Sequence, residues 1–259
     1  MVARADDEKP IVLVTRVTAH ANVLMRQNTK ISSDYIGVAR EQLREVFGCP
    51  VMILQGAAGN LKPAGVDKVE GGSLDDLHRV ADAFVRAAKQ LRFEPVDVED
   101  IRMTSIHTSF VSDVPSQEES EKRAARTQHG EADGWLASCD ELRQRGVRVQ
   151  SVPAEIHFFK LNEGCICGVA EEIFCELALA VWDRTENPLL FLNGYTNGCT
   201  GYLPTRDEWF KGGYEVYDSN FVYHKYHGHV MPYRAETADL LVERVLEGWE
   251  QMGHCRGSG

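Results

Sequence analysis

The residues of this chain with the chemistry of ligands or catalysts fall just past the ends of apolar, β-branched runs. His20 follows the run at 11–17, IVLVTRV. The loop Gly56-Ala57-Ala58-Gly59-Asn60 follows the run at 51–54. Glu171 and Glu172 follow 165–169, and Tyr202 follows 188–192 after a glycine-rich turn. In an open α/β sheet, ligands bind outside the carboxyl ends of the strands, so these groups are expected to face a crevice. Imidazole and carboxylate are good zinc ligands, and an open position on the metal then takes water. Zinc lowers the pKa of that water and polarises a carbonyl. Tyrosine is a rarer ligand, but its phenolate becomes accessible beside a divalent cation. The plainer alternative for His20 is a hydrogen-bonded core histidine.

Two further groups of residues carry open readings. The stretch 56–62 fits a backbone nest for an oxyanion, or simply a tight strand–helix turn. It lacks the GxxxxGK[ST] and GxGxxG spacings of the two best-known phosphate loops. Lys62 is a candidate cationic anchor for substrate or an ordinary surface lysine. His224, His227 and His229, in HKYHGH, have metal-binding side chains, but no cysteine or carboxylate pair lies nearby, so a pocket-lining or surface role competes.

These residues need elements to hold them. Residues 11–17 and 51–54 read as buried strands. Between them, Ser33 is placed to cap a helix over 34–47, with Tyr35, Ala39, Leu43, Val46 and Phe47 as its apolar stripe and Gly48 as its stop. That order suggests a parallel strand–helix–strand unit. Ser73 is placed to cap a helix over 74–91, and 98–111 reads as strand. Residues 116–148 are dense in charge and read as a solvated helical insertion with a break at Gly130. A hairpin is expected around Asn162-Glu163-Gly164, then a helix over 171–183, a strand over 188–192 and a closing helix over 236–252. The long segment 193–233 is rich in glycine and aromatic residues and reads as a functional loop over a pocket. The expected fold class is α/β, a mixed and largely parallel sheet with flanking helices. The expected domain spans 1–252, carries the insertion at 116–148, and ends in a tail at 253–259.

Composition narrows the function. The chain has 259 residues, a net charge of −11 and 43% hydrophobic residues, ordinary for one sizeable soluble domain. Nucleic acid and anionic membranes are disfavoured partners, because phosphate recognition needs clustered cations. No apolar run reaches the roughly 18 residues of a membrane span. The seven cysteines are an odd number, read as free thiols in a reducing, cytoplasmic compartment; Cys165-Ile-Cys167 lacks zinc-finger spacing.

Taken together, the motifs resemble the neutral/alkaline (non-lysosomal) ceramidase family, in its N-terminal catalytic domain. VTAHANVL with ISSDYIGVA resembles the family's strand–histidine–loop–helix segment. LQGAAGNLKP resembles its glycine loop, CGVAEEIFCELAL its G-x-P-G-E segment, and NGCTGYLPTRDEWFKGGYEV its GY-x-T-x-E segment. The order agrees along most of the chain. The resemblance implies a zinc-dependent amidase with His20, Glu172 and Tyr202 as metal ligands. It places Tyr214, near the scissile amide, and Lys62, at a position that is serine in ceramidases, as catalytic residues, and Gly59 and Asn60 against the substrate. The implied substrate is a small-molecule or lipid N-acyl amide.

The sequence departs from the family in three places. Asn60 and Lys62 replace an aspartate and a serine, and Ala170-Glu171 stands for Pro-Gly. The family's upstream His-x-His is absent. The last departure implies a domain lacking its upstream part, and a sheet that another chain completes. Two other functions stay open: a non-catalytic remnant or subunit of a split ceramidase-like protein, separated by an upstream frame encoding His-x-His, and an unrelated α/β anion-binding protein, separated by metal content.

Overall fold

The computed structural model describes residues 1–4, 7–25, 28–67, 70–127 and 132–254. The chain forms two compact units, Met1–Asp97 and Val98–Gly259. Gly130 and residues 255–259, hence the expected helix break and most of the expected tail, lie outside the described residues.

In the first unit the elements are β1 (Val2–Ala3), β2 (Pro10–Val17), α1 (Asp34–Phe47), β3 (Val51–Gln55) and α2 (Leu74–Lys89). Strands β2 and β3 pair in parallel from Leu13↔Val51 to Val17↔Gln55, and β1 adds antiparallel to β2. The core lies where the helices meet the sheet: Leu13, Tyr35, Ala39, Leu43, Leu77 and Ala81 are each at most 4% exposed. The α2 cap is the expected one, a capping box in which Ser73 Oγ accepts from Asp76 N–H. The α1 cap is not. Ser33 makes no side-chain cap bond, and Asp34, at φ 53°, takes over the entry to the helix. Gly48 stops α1 at φ 66°, as expected of a left-handed C-cap.

The second unit begins with β4 (Ile101–Asp113), α3 (Gln117–Ala124), α4 (Asp133–Gln144), β5 (Val149–Leu161), β6 (Gly164–Gly168) and β7 (Glu172–Ile173). It continues with α5 (Cys175–Thr185), β8 (Leu190–Asn193), β9 (Tyr202–Leu203), α6 (Arg206–Trp209), a π-helical turn (Tyr214–Asp218), α7 (Ser219–His227) and α8 (Thr237–His254). The sheet order is β4-β5-β6-β8. It is mixed: β4·β5 and β5·β6 run antiparallel and β6·β8 parallel. The longest ladder, β4·β5, is antiparallel, whereas β6·β8 is parallel because α5 carries the chain between them. One face is packed by α5 and α8 over Phe110, Ile156, Phe158, Cys167 and Leu192. On the other face the register aligns Met103, Phe159, Ile166 and Phe191 across all four strands, with Met103 78% exposed.

Two expectations are corrected here. The helix expected over 171–183 starts only at Cys175, because Glu172 and Ile173 are drawn into a short strand against β9. The segment 193–233 is no open loop; it folds into β9, α6, the π-helical turn and α7.

Candidate active site

In the first unit, the chain just past β2 is fixed from two sides. Ala19 O accepts from Tyr35 Oη at 2.9 Å and from Gln55 Nε2 at 3.1 Å. The following loop is pinned by Asp34, whose carboxylate accepts from Val23 N, Leu24 N and Tyr35 N at 3.1, 2.8 and 2.8 Å. This is the local reason for the Ser-Ser-Asp spacing: the aspartate heads the helix and folds the histidine loop back onto it. His20 Nε2 lies 3.3 Å from Gly59 O, and His20 N–H donates to Leu61 O at 3.0 Å. The histidine and the glycine loop, expected in one place from sequence, therefore are in one place.

The glycine loop closes as a β-turn, with Leu61 N–H donating to Ala58 O at 2.9 Å, so that donor does not face a ligand. Gly56, Ala57, Ala58 and Gly59 are buried and Asn60 is exposed. Lys62 Nζ donates to Asp67 O at 2.6 Å and lies 2.9 Å from Met25 Sδ.

In the second unit, β7 and β9 pair in parallel with Glu172 directly opposite Tyr202. Two residues 30 positions apart are thus neighbours on one ladder. Glu172 Oε2 accepts from Tyr195 Oη at 2.5 Å, and Cys199 Sγ lies 3.4 Å from Oε1. Tyr202 also hydrogen-bonds Glu172. The ring of Tyr214, at the start of the π-helical turn, stands edge-on to Tyr202 with centroids 6.1 Å apart, and Tyr214 bonds Tyr223. Glu172, Tyr202 and Tyr214 are therefore brought together as a carboxylate ringed by phenols.

The electrostatics follow from that crowding. Burial, then the Glu172 bond and charge, raises the Tyr195 phenol far above its ordinary value. Burial followed by the Glu172 charge does the same to Tyr202. Burial pushes the Cys199 thiol up to about 11 and, with Tyr223 and Glu172 adding, Tyr214 up to about 12. All four are protonated at neutral pH; Tyr195, Tyr202 and Cys199 bond the Glu172 carboxylate, and Tyr214 bonds Tyr223. Neighbouring Glu171 is 1% exposed; its Oε1 accepts from Thr200 Oγ1 at 3.0 Å, and burial raises its pKa.

The loop carrying these partners is strained: Tyr195 and Asn197 both sit at φ 58°, a conformation that L residues seldom adopt. Sequence reading placed Tyr195 and Cys199 in the right segment but assigned neither to Glu172. The signal available was only their position in the glycine-rich turn before Tyr202.

The three histidines of α7 and its C-terminal side are buried, against the surface alternative. His229 is wedged between Met231 O at 2.5 Å and Thr200 O at 2.8 Å, and His224 Nε2 lies 3.0 Å from Ser138 Oγ. His229 thereby holds the carbonyl of the loop beside Glu172.

The donor set of Glu172 and Tyr202 suits a divalent cation. Two oxygens lie side by side, a thiol is adjacent, and the Tyr202 phenol proton now bonded to Glu172 is one that a cation would replace. Among the described residues, no three His, Cys, Asp or Glu side chains are grouped to hold a metal.

No family model matches the chain, and no curated protein matches it in sequence. Solved structures do match. The neutral ceramidase from Pseudomonas aeruginosa aligns with a TM-score of 0.60 and 16% identity, over 92% of this chain and 44% of that one. A ceramidase complexed with C2 aligns with a TM-score of 0.57 and 15% identity, over 92% of this chain and 45% of that one. The chain thus spans less than half the length of the solved proteins it matches, and over that span it has the neutral ceramidase fold.

Proposed function

We propose that this chain is part of a ceramidase-like amidohydrolase that cleaves an N-acyl amide with the help of a zinc ion. The observation that carries the reading is the Glu172↔Tyr202 pairing, with Tyr214 edge-on to Tyr202, in a fold shared with ceramidases. Glu172 and Tyr202 would hold the metal, which when bound supplies a polarised water and a Lewis acid for the amide carbonyl. Tyr195 holds Glu172 in place through one oxygen. Tyr214, protonated at neutral pH and 46% exposed, is suited to donate a hydrogen bond to the oxygen of the amide as charge develops there. Ceramide-like lipids and other N-acyl amides both fit this chemistry.

The family resemblance extends the proposal to the first unit. It gives His20 to a metal, Lys62 to catalysis and Gly59 and Asn60 to substrate, with both units parts of one domain over 1–252. Lys62 would exchange its bond to Asp67 O for an anionic or polar substrate group. Buried free thiols at Cys49, Cys139, Cys165 and Cys167 support a cytoplasmic setting, and no helix among the described residues is long and apolar enough to cross a membrane. The apolar row from Met103 to Phe191, exposed at both ends and half-buried at Phe159 and Ile166, supports a second chain as partner.

The test is elemental analysis beside a screen of N-acyl substrates. About one zinc per chain is expected. Glu172→Gln, and separately His20→Ala, should lose it and lose hydrolysis. Retention of full zinc by Glu172→Gln would refute the assignment of that ligand.

A further inference from the structure

On an acidic chain of net charge −11, one cavity of the second unit runs the other way. It has a volume of about 460 Å³ and lies between α3 and the segment leading into the π-helical turn. Four cations line it: Lys122 and Arg123 of α3, Arg126 just beyond, and Lys211. Two carboxylates face them, Glu119 and Asp218.

The pairing inside the cavity is uneven. Arg123 is held by Glu119 at 2.8 Å and lies 4.3 Å over the Tyr217 ring. Lys211 is tied to Glu208 at 2.5 Å. Lys122 and Arg126 make no side-chain hydrogen bond or ion pair among the described residues. Two exposed cationic side chains therefore stand uncommitted, beside an arginine already held by a carboxylate and a ring.

Three aromatic residues also line the cavity: Tyr217, whose ring Arg123 covers, Phe221, 8% exposed, and Phe210, 71% exposed. Cations beside flat apolar surface make a receptor for a ligand with both characters. An oxyanion is drawn by charge-assisted hydrogen bonds from Lys122 and Arg126, while an attached apolar body covers the exposed Phe210 ring.

We propose that this cavity binds an amphipathic anion: a phosphate, sulfate or carboxylate carried on an apolar or aromatic body. The inference needs only the cavity and stands whether or not the amidase reading holds. Its place is nonetheless significant. Gly213 lines it, and the next residue, Tyr214, contacts Tyr202. An occupant is therefore one residue along the chain from the candidate site.

Phenyl phosphate is the probe, titrated calorimetrically into the whole chain at low salt, with benzyl alcohol as the uncharged comparison. Saturable binding of phenyl phosphate is expected, with none of benzyl alcohol. Replacing Lys122 and Arg126 together by alanine should weaken it about tenfold or more, given the usual strength of charged hydrogen bonds. Phe210→Ala should weaken it less. Arg40→Ala with Arg44→Ala, an equal loss of charge on α1, should leave it unchanged. Added salt should weaken wild-type binding, a reading that needs no variant to fold. Absence of saturable binding, equal binding of benzyl alcohol, salt-independent affinity, an unaltered Lys122/Arg126 variant or an equal loss in the α1 control would each overturn the proposal.

Discussion

Asp34 organises the first unit's candidate residues through one carboxylate. It is 5% exposed, sits at φ 53° and accepts three backbone N–H groups, two of them from the loop after His20. Alanine there leaves three donors unpaired, so Asp34→Ala should cost about 1–3 kcal/mol, the penalty of stranded polar groups. Urea denaturation measures it. Asp34→Asn should cost less, since its amide oxygen still accepts and asparagine tolerates a left-handed backbone. Equal losses would show that charge, not bonding, is what matters. Serine 33 was the expected cap because serine is a good one. It lost the role to its neighbour, because only the aspartate's two oxygens reach both the helix and the histidine loop. At Glu172 the converse holds: the residue was legible, but its partners Tyr195 and Cys199 were not, being contacts made by a strained turn.

Among the elements, the insertion at 116–148 shows where charge density misleads. Its helices α3 and α4 exist as expected, but α4 is not simply solvated. Trp135 is 1% exposed and Cys139 0%, and they pack with Phe221, Val230 and Met231. The Trp135 ring meets Phe221 edge-on at 4.8 Å, and its Nε1 donates to Val230 O at 2.5 Å. The apolar spacing of Trp135, Cys139 and Leu142 was present, though outnumbered by charges. Because the ring fills a closed cluster, Trp135→Ala should destabilise the second unit by about 3–5 kcal/mol, the range for large aromatic truncations. Thermal unfolding and hydrogen exchange at α7 are the checks; exchange unchanged at α7 would show that α4 and α7 are not coupled. The strand β7 makes a related point. Residues 171–174 lie before a helix and are short enough to join it, and only the pairing with β9 makes them a strand.

For the whole molecule, the buried histidines set a pH dependence. Burial, then the charges of His229 and His224, pushes His227 down to about 4 from 6.5. Burial lowers His224 and His229 as well. In the unfolded chain His227 therefore takes up a proton near pH 6.5 that the folded chain refuses until about pH 4, and His224 and His229 act in the same direction. The histidine contribution to stability should fall as pH drops through that window, while the carboxylates held low by their partners, Asp76 at about 2 among them, lose theirs further down. Urea midpoints across the range measure the slope, and His227→Gln should flatten it. An unchanged slope would mean that other groups carry the acid sensitivity.

What the sequence determined by itself was local or periodic. The strand–helix–strand order of the first unit, the Ser73 and Gly48 caps, the hairpin at 162–164 and the closing helix all follow from apolar spacing and turn chemistry within a few residues. Motif order also pointed to the ceramidase fold before any coordinates did, as the solved structures bear out. Tertiary structure alone decided the rest: that Glu172 lies on a strand opposite Tyr202, that Tyr195 bonds it, that HKYHGH turns inward, and that cations from α3 share a cavity with Tyr217. The reason is the same each time. Those contacts join residues tens of positions apart, and no local propensity or period encodes which distant partner will satisfy a buried polar group.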